Sequence, residues 1–213
     1  MRTIQLSVLF LAAAGTTCFA QQWEVGGGAG AGFLPGVPVT GAVGTATAGF
    51  QPGFSFGGFV GQNLYRHLSG ELRYGFQQSN LRLDSGGKEA TFSGTSHVVH
   101  YDLVWHTNKK EDSRTQYFVA AGGGMKLFRG TGKEAAYQPL SQFGYFTKTQ
   151  AIKPMATIGG GVRYALSPRV YLRAEFRDYI TMFPKQLITP APGTKYGSIL
   201  HDFVPMVTVS YEF

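Results

Sequence analysis

The last twelve residues alternate without interruption. Phe203, Pro205, Val207, Val209, Tyr211 and Phe213 share one face, and Asp202, Val204, Met206, Thr208, Ser210 and Glu212 share the other. Period 2 over this length specifies a strand with one apolar face. The preceding segment repeats the pattern, with Val170, Leu172, Ala174, Phe176, Ile180 and Met182 opposing Tyr171, Arg173, Glu175, Arg177, Tyr179 and Thr181. Asp178 interrupts its apolar face, and a bulge there is the expected reason. Six further segments read as strands: 22–33, 53–65, 69–82, 96–106, 116–128 and 151–165. In 53–65 the apolar face is Phe54, Phe56, Val60 and Leu64, with Gly57-Gly58 leaving the register open. In 96–106 Val99, Tyr101, Leu103 and Trp105 oppose Val98, His100, Asp102, Val104 and His106. Glycine triplets at 26–28, 122–124 and 159–161 exclude helices, at about 1 kcal/mol per glycine in a helix interior.

The connections carry the next constraint. Long ones (34–52, 83–95, 129–150 and 183–201) alternate with short ones (66–68, 107–115 and 166–168). An all-β, eight-stranded antiparallel up-and-down transmembrane barrel sorts its loops in this way, with short turns on one side of the membrane and long loops on the other. The composition is compatible with a lipid-facing exterior: 43% of residues are hydrophobic, 14% aromatic and only 15% charged. The polar faces then line a lumen. They carry Glu24, Glu71, Asp102, Glu175 and Glu212 against Arg73, Lys126, Lys153, Arg163, Arg173 and Arg177, a near-neutral network for a sealed interior. Gly26, Gly28, Gly30, Gly32, Gly122, Gly124, Gly159 and Gly161 fall on the same faces. Trp23, Phe33, Phe54, Trp105, Tyr117, Tyr164, Tyr211 and Phe213 lie near strand ends on the other face, as girdle residues do. Counting heights from the short-turn ends predicts pairing low in the lumen and a basic mouth of Lys126, Lys153 and Arg177.

The N-terminus reads as an address. Arg2, the apolar run Leu6 to Ala14 and the small-residue site ending at Ala20 form a secretory signal peptide. Residues 1–20 are expected to be cleaved, leaving 21–213 as the barrel domain. Cys18, the only cysteine, leaves with the signal. Removing Arg2 leaves 18 Lys and Arg against 12 Asp and Glu, a net charge of +6.

Taken together, the chain resembles bacterial outer-membrane β-barrel proteins of the eight-stranded OmpA/OmpX-like type. The resemblance rests on the C-terminal strand from Val207 to Phe213, on Glu71-Leu72-Arg73-Tyr74 and on Gly122-Gly123-Gly124-Met125-Lys126. It implies location in the outer membrane after export across the inner membrane, and contact with membrane lipid and lipopolysaccharide. It also implies an assembly signal for the outer-membrane assembly machinery in Val207, Val209, Tyr211 and Phe213. Because the chain ends at the barrel, the periplasmic peptidoglycan-binding domain of longer OmpA-type proteins is not expected. The resemblance carries over no catalytic residue.

Other motifs are weak. Gly26 to Gly32 superficially fits a dinucleotide fingerprint, but Phe33-Leu34-Pro35 follows where a helix should open. Gly130-Thr131-Gly132-Lys133 lacks both the first glycine and the Ser/Thr of a phosphate loop. His100, Asp102 and His106 share a face, yet six residues span about 20 Å in a strand, too far for one metal ion. His67-x-Ser69 with Glu71 has a suggestive spacing for a lipid A-modifying enzyme but sits at a short turn, on the wrong side. No metal, cofactor or catalytic centre is expected. Nucleic-acid binding is a poor use of cations scattered over barrel and loops. A monomeric barrel with a structural or surface-interaction role is therefore the expected function, with a porin-like small-solute or ion channel as the alternative and a lipid A-modifying barrel enzyme behind it. The loops 129–150 and 183–201 are the candidate external surface. The first carries Arg129, Lys133, Lys148, Tyr137, Phe143, Tyr145 and Phe146, and the second Pro184, Lys185, Pro190, Pro192, Lys195 and Tyr196.

Overall fold

The computed structural model describes residues 22–107 and 113–213. The signal peptide expected over 1–20 lies outside the described residues, as does most of the charged turn 107–115. Fifteen strands form among the described residues. The first seven are β1 (Trp23–Gly32), β2 (Val37–Gly41), β3 (Gly44–Phe50), β4 (Gly53–Tyr65), β5 (Leu68–Gln78), β6 (Leu81–Ser85) and β7 (Lys88–Phe92). The next five are β8 (Gly94–His106), β9 (Thr115–Gly130), β10 (Gly144–Phe146), β11 (Gln150–Ala165) and β12 (Val170–Met182). β13 (Ile188–Pro190), β14 (Lys195–Tyr196) and β15 (Ile199–Glu212) complete the chain.

Eight of these close a barrel in the order β1-β15-β12-β11-β9-β8-β5-β4. Each barrel strand pairs antiparallel with its neighbours in sequence, and β1 closes the ring on β15 through seven register pairs from Glu24↔Glu212 to Gly30↔Met206. The eight segments expected from periodicity are the eight barrel strands. Two local expectations need correction. β12 runs against β11 and β15 in unbroken register through Asp178, so no bulge forms. Instead, the Asp178 carboxylate is held on the outer face by His201 Nδ1 at 2.8 Å. The third segment ends at Gln78 rather than 82, because Leu81 starts a separate hairpin.

The larger correction concerns the long connections, which are folded. β14, β2, β3, β6 and β7 form a five-stranded sheet, and β10 pairs with β13 in a two-stranded ribbon. Their inward residues build one apolar core that includes Val37, Val39, Leu81, Leu83, Phe143, Phe146, Leu187 and Ile188. We call this unit the cap. Within its sheet, β6 and β7 are joined by Gly86-Gly87, both at positive φ (58° and 77°). A two-residue turn of this handedness matches the twist of a hairpin and favours glycine. Phe143 and Phe146, expected on the candidate external surface of loop 129–150, are core residues of the cap.

Candidate functional site

Which face of the wall is apolar decides the solvent outside it. On β8 the exposed residues are Val99, Tyr101, Leu103 and Trp105, at 49–53%, and the buried ones include His100, Asp102 and His106. A soluble barrel has the opposite polarity. The other strands agree: Phe54, Phe56 and Val60 on β4, Leu72 and Tyr74 on β5, and Val207, Val209 and Tyr211 on β15 all face outward. Phe59, at the opposite parity of β4, points into the lumen, which resolves the register left open by Gly57-Gly58.

The lumen is filled in a way that starts from its glycines. A Cβ on Gly26 would stand 2.5 Å from the Phe59 ring, and one on Gly161 would stand 2.9 Å from Phe118. The two missing side chains leave room for the two rings. Between them lies the guanidinium of Arg173, 4.6 Å from each ring centroid. The ring faces offer it a favourable cation–π environment away from water. Arg73 packs on Phe59 as well, at 4.8 Å, and Arg163 lies 3.5 Å over Tyr171.

These cations meet carboxylates from across the barrel. Arg173 donates to Glu71 at 2.7 Å and stands 3.7 Å from both Glu24 and Glu175. Arg73 donates to Glu71 at 2.6 Å and to Glu175 at 2.5 Å. Arg163 bridges Glu24 and Glu212 at 2.9 and 3.1 Å and also donates to Gln116. Arg177 pairs with Asp102 and, at 3.2 Å, with Glu175. His100 Nδ1 donates to the other Asp102 oxygen at 2.9 Å.

Above this layer Lys126 pairs with Asp202, and Gln77 ties the two together by donating to Asp202 at 3.2 Å and accepting from Lys126 at 3.4 Å. Lys126 also faces the Phe128 ring at 5.1 Å. Phe128 stacks on Phe50 at 5.3 Å, and Phe50 meets Phe183 at 6.3 Å. The ion-paired layer thus adjoins the apolar core of the cap.

The expected basic mouth does not form. Both Lys126 and Arg177 are buried and paired. Of the expected mouth only Lys153 remains: it is half-buried, stands in register with Lys126, and has no ion pair among the described residues. Asp202 shares the polar face of the last strand by periodicity, and its pairing with Lys126 joins it to the network. With it, the buried lumen groups are six acids (Glu24, Glu71, Asp102, Glu175, Asp202 and Glu212) and five bases (Arg73, Lys126, Arg163, Arg173 and Arg177).

The remaining candidates do not converge. His100 is committed to Asp102 and lies against Tyr179, whereas His106 is hydrogen-bonded to Ser69 at 3.0 Å. No group of three metal-ligating residues forms among the described residues. His67 reaches the His106 backbone oxygen rather than Ser69, and Glu71 is occupied by Arg73 and Arg173. In the cap, burial pushes the Tyr196 phenol up to about 12, and its hydroxyl donates to the Phe143 carbonyl at 3.0 Å.

No family model matches the chain, and no curated protein matches it in sequence. Solved structures do match in fold. Neisserial surface protein A, 12% identical, aligns over 90% of this chain and 97% of its own with a TM-score of 0.56. The outer membrane protein OprG from Pseudomonas aeruginosa, 11% identical, aligns over 90% and 95% with a TM-score of 0.57. The fold is that of a small outer-membrane β-barrel. At these identities the likeness is one of architecture alone, and the apolar exterior and charged lumen give that architecture its membrane. The outer-membrane barrel carries its four long connections, its cap, at one end; the start of β1, the end of β15 and the β4–β5 and β11–β12 turns lie at the other.

Proposed function

We propose that this chain is an integral, monomeric outer-membrane barrel whose lumen is closed to solutes and which acts through the outer surface of its cap. Its role on this reading is structural or surface-interacting, with no catalytic step. The observation that supports it is the continuity from the ion-paired lumen through Lys126, Phe128 and Phe50 into the cap core. An eight-stranded barrel is just wide enough to be filled by its own side chains, and here they fill it with matched charges. The Ser69–His106 pair is buried at the short-turn end and lacks a free carboxylate, which argues against a lipid A-modifying site. Val207, Val209 and Tyr211 point outward along β15 and Phe213 is exposed just past its end, where the assembly machinery would read them as the assembly signal.

The cap offers Tyr137 and Tyr145 to solvent beside exposed Lys133, Lys148 and Lys185. Removing residues 131–147 would take Leu140, Phe143 and Phe146 out of its core, so point changes on the surface are the cleaner test. In cells displaying the protein, Tyr137→Ser with Tyr145→Ser is expected to reduce adhesion while the barrel keeps its heat-modifiable migration on gels. Unchanged adhesion in a variant that still migrates as a folded barrel would overturn the surface role.

A further inference from the structure

The net charge of the chain lies outside its lumen. At the cap end, outside the lumen, there are seven cations (Arg82, Lys88, Arg129, Lys133, Lys148, Lys185 and Lys195) against three acids (Asp84, Glu89 and Glu134). Their placement is uneven. Of all lysines and arginines in the barrel strands, Arg129 alone lies on an outward line, at the cap end of β9. The β9–β11 ladder continues past it through Gly130 N–H to Thr149 O at 2.9 Å, and exposed Lys148 lies at the bend just before β11 opens at Gln150.

The height of these cations follows from strand geometry. From the girdle residue Tyr117 to Leu127 is ten residues of β9, about 33 Å of strand. At a tilt of about 40° this rises about 25 Å, the height of the apolar band of an outer-membrane barrel. Met125 and Ile152, both 62% exposed, lie in the top of that band. Arg129 comes about 7 Å further along its strand than Leu127, and Lys148 lies two residues before Gln150, the register partner of Arg129. Both therefore fall at headgroup level, directly above lipid-facing apolar side chains.

At that level the chain forms an open crevice of about 580 Å³ lined by Thr131, Gly132, Lys133, Glu134 and Lys148. The Glu134 carboxylate is turned to the Lys148 backbone N–H and fixes the two ends of the loop. Thr131 and Gly132 N–H both donate to Ser93 O, at 2.8 and 3.1 Å, which holds the other wall. Among the described residues the ammonium groups of Lys133 and Lys148 and the guanidinium of Arg129 make no ion pair, and the Thr131 hydroxyl makes no hydrogen bond. Two ammonium groups and a hydroxyl around an open crevice, with the Arg129 guanidinium two residues before Thr131 in the chain, are donors for a phosphate. The apolar strand surface beneath supplies the place for an acyl chain.

We propose that this crevice binds the phosphorylated headgroup of an outer-leaflet lipid, with its acyl chains lying on Leu127, Met125 and Ile152. The proposal rests on the transmembrane reading of the barrel and gives its contact with outer-leaflet lipid a defined site. The test uses the full mature chain, purified in detergent and titrated with diphosphoryl lipid A or its dephosphorylated form, with bound lipid counted by native mass spectrometry. Each Lys or Arg beside an anionic lipid surface contributes about fivefold, so Arg129→Gln/Lys133→Gln/Lys148→Gln should weaken diphosphoryl lipid A binding about a hundredfold. The dephosphorylated lipid should bind wild type as weakly as the variant binds the phosphorylated one. A control variant on the cap sheet, Arg82→Gln/Lys88→Gln/Lys195→Gln, should bind like wild type.

Equal loss in the control variant would mean overall charge rather than a site, and would overturn the proposal. So would equal binding of the two lipids, an unaffected triple variant, or displacement of the lipid by an equal concentration of inorganic phosphate. Heat-modifiable migration is read on the same samples. Its absence in the wild type would sink the barrel reading itself, whereas its presence with any of the results above sinks only the lipid site.

Discussion

Replacing Lys126 by methionine removes one half of an ion pair that is shut off from solvent on both sides. The side chains of Lys126 and Asp202 are each 1% exposed, and after the change Asp202 keeps only the Gln77 amide, which donates at 3.2 Å. Removing one partner of a buried pair costs about 3–5 kcal/mol, because the remaining charge has neither water nor a counterion. A small part of the loss is the cation–π contact with Phe128 at 5.1 Å, worth about 0.5–2 kcal/mol. Replacing both members by apolar groups of similar volume is close to neutral by the same reasoning. Lys126→Met should therefore destabilise the barrel by about 3 kcal/mol or more, and Lys126→Met/Asp202→Leu should return to within about 1 kcal/mol of wild type. Urea unfolding of the protein in phospholipid vesicles, followed by the fluorescence of Trp23 and Trp105 at the short-turn end, reads both values. A Lys126→Met barrel within about 1 kcal/mol of wild type would mean that water reaches Asp202, and the filled upper lumen would be refuted.

Two further outcomes follow from the wall and the cap. A Cβ on Gly28 would stand 2.1 Å from the Val207 carbonyl oxygen across the β1–β15 seam, whereas one on Gly27 meets only Gly57 O at 3.5 Å. Gly28→Ala should therefore cost about 1–3 kcal/mol in the same unfolding assay and Gly27→Ala should be near neutral; similar values for both would contradict the register of the seam. In the cap, burial raises the Tyr196 phenol from 10.0 to about 12, so folding favours its neutral form. The associated stability is complete below the unfolded value near 10 and is lost as pH rises towards about 12. Near-ultraviolet circular dichroism should show the cap signal fading over that window, and Tyr196→Phe should remove this contribution; a Tyr196 phenol that titrates at its ordinary value in wild type would show it to be solvated.

Much of the barrel is legible in the sequence, because its strands are long and each turns one face to lipid and the other to a charged lumen. Ten or more alternating residues per strand fix both the element and its parity, and Val98/Val99 through His106 on β8 show this most clearly. The cap escaped for the opposite reason. Its strands are two to seven residues long, and the apolar pairs Val37/Val39 and Leu81/Leu83 are too short to stand out. The Gly86-Gly87 hairpin turn was a local signal that could have found β6 and β7. The β3–β6 pairing, by contrast, joins Phe50 to Leu81 across an intervening barrel hairpin, which no local pattern reveals. The lumen network was legible in its members but not in its heights. Strands are tilted and staggered in a closed barrel, so residues counted from strand ends do not lie at equal depth. Asp202 therefore meets Lys126, 76 positions earlier, and the expected basic mouth is neutralised.

The central claim is a barrel closed from its ion-paired floor to its apolar cap, and single-channel recording in planar bilayers tests it most directly. The purified protein should insert and give no stable conductance step above the bare bilayer. Large, long-lived openings of the wild-type protein would contradict the closed lumen.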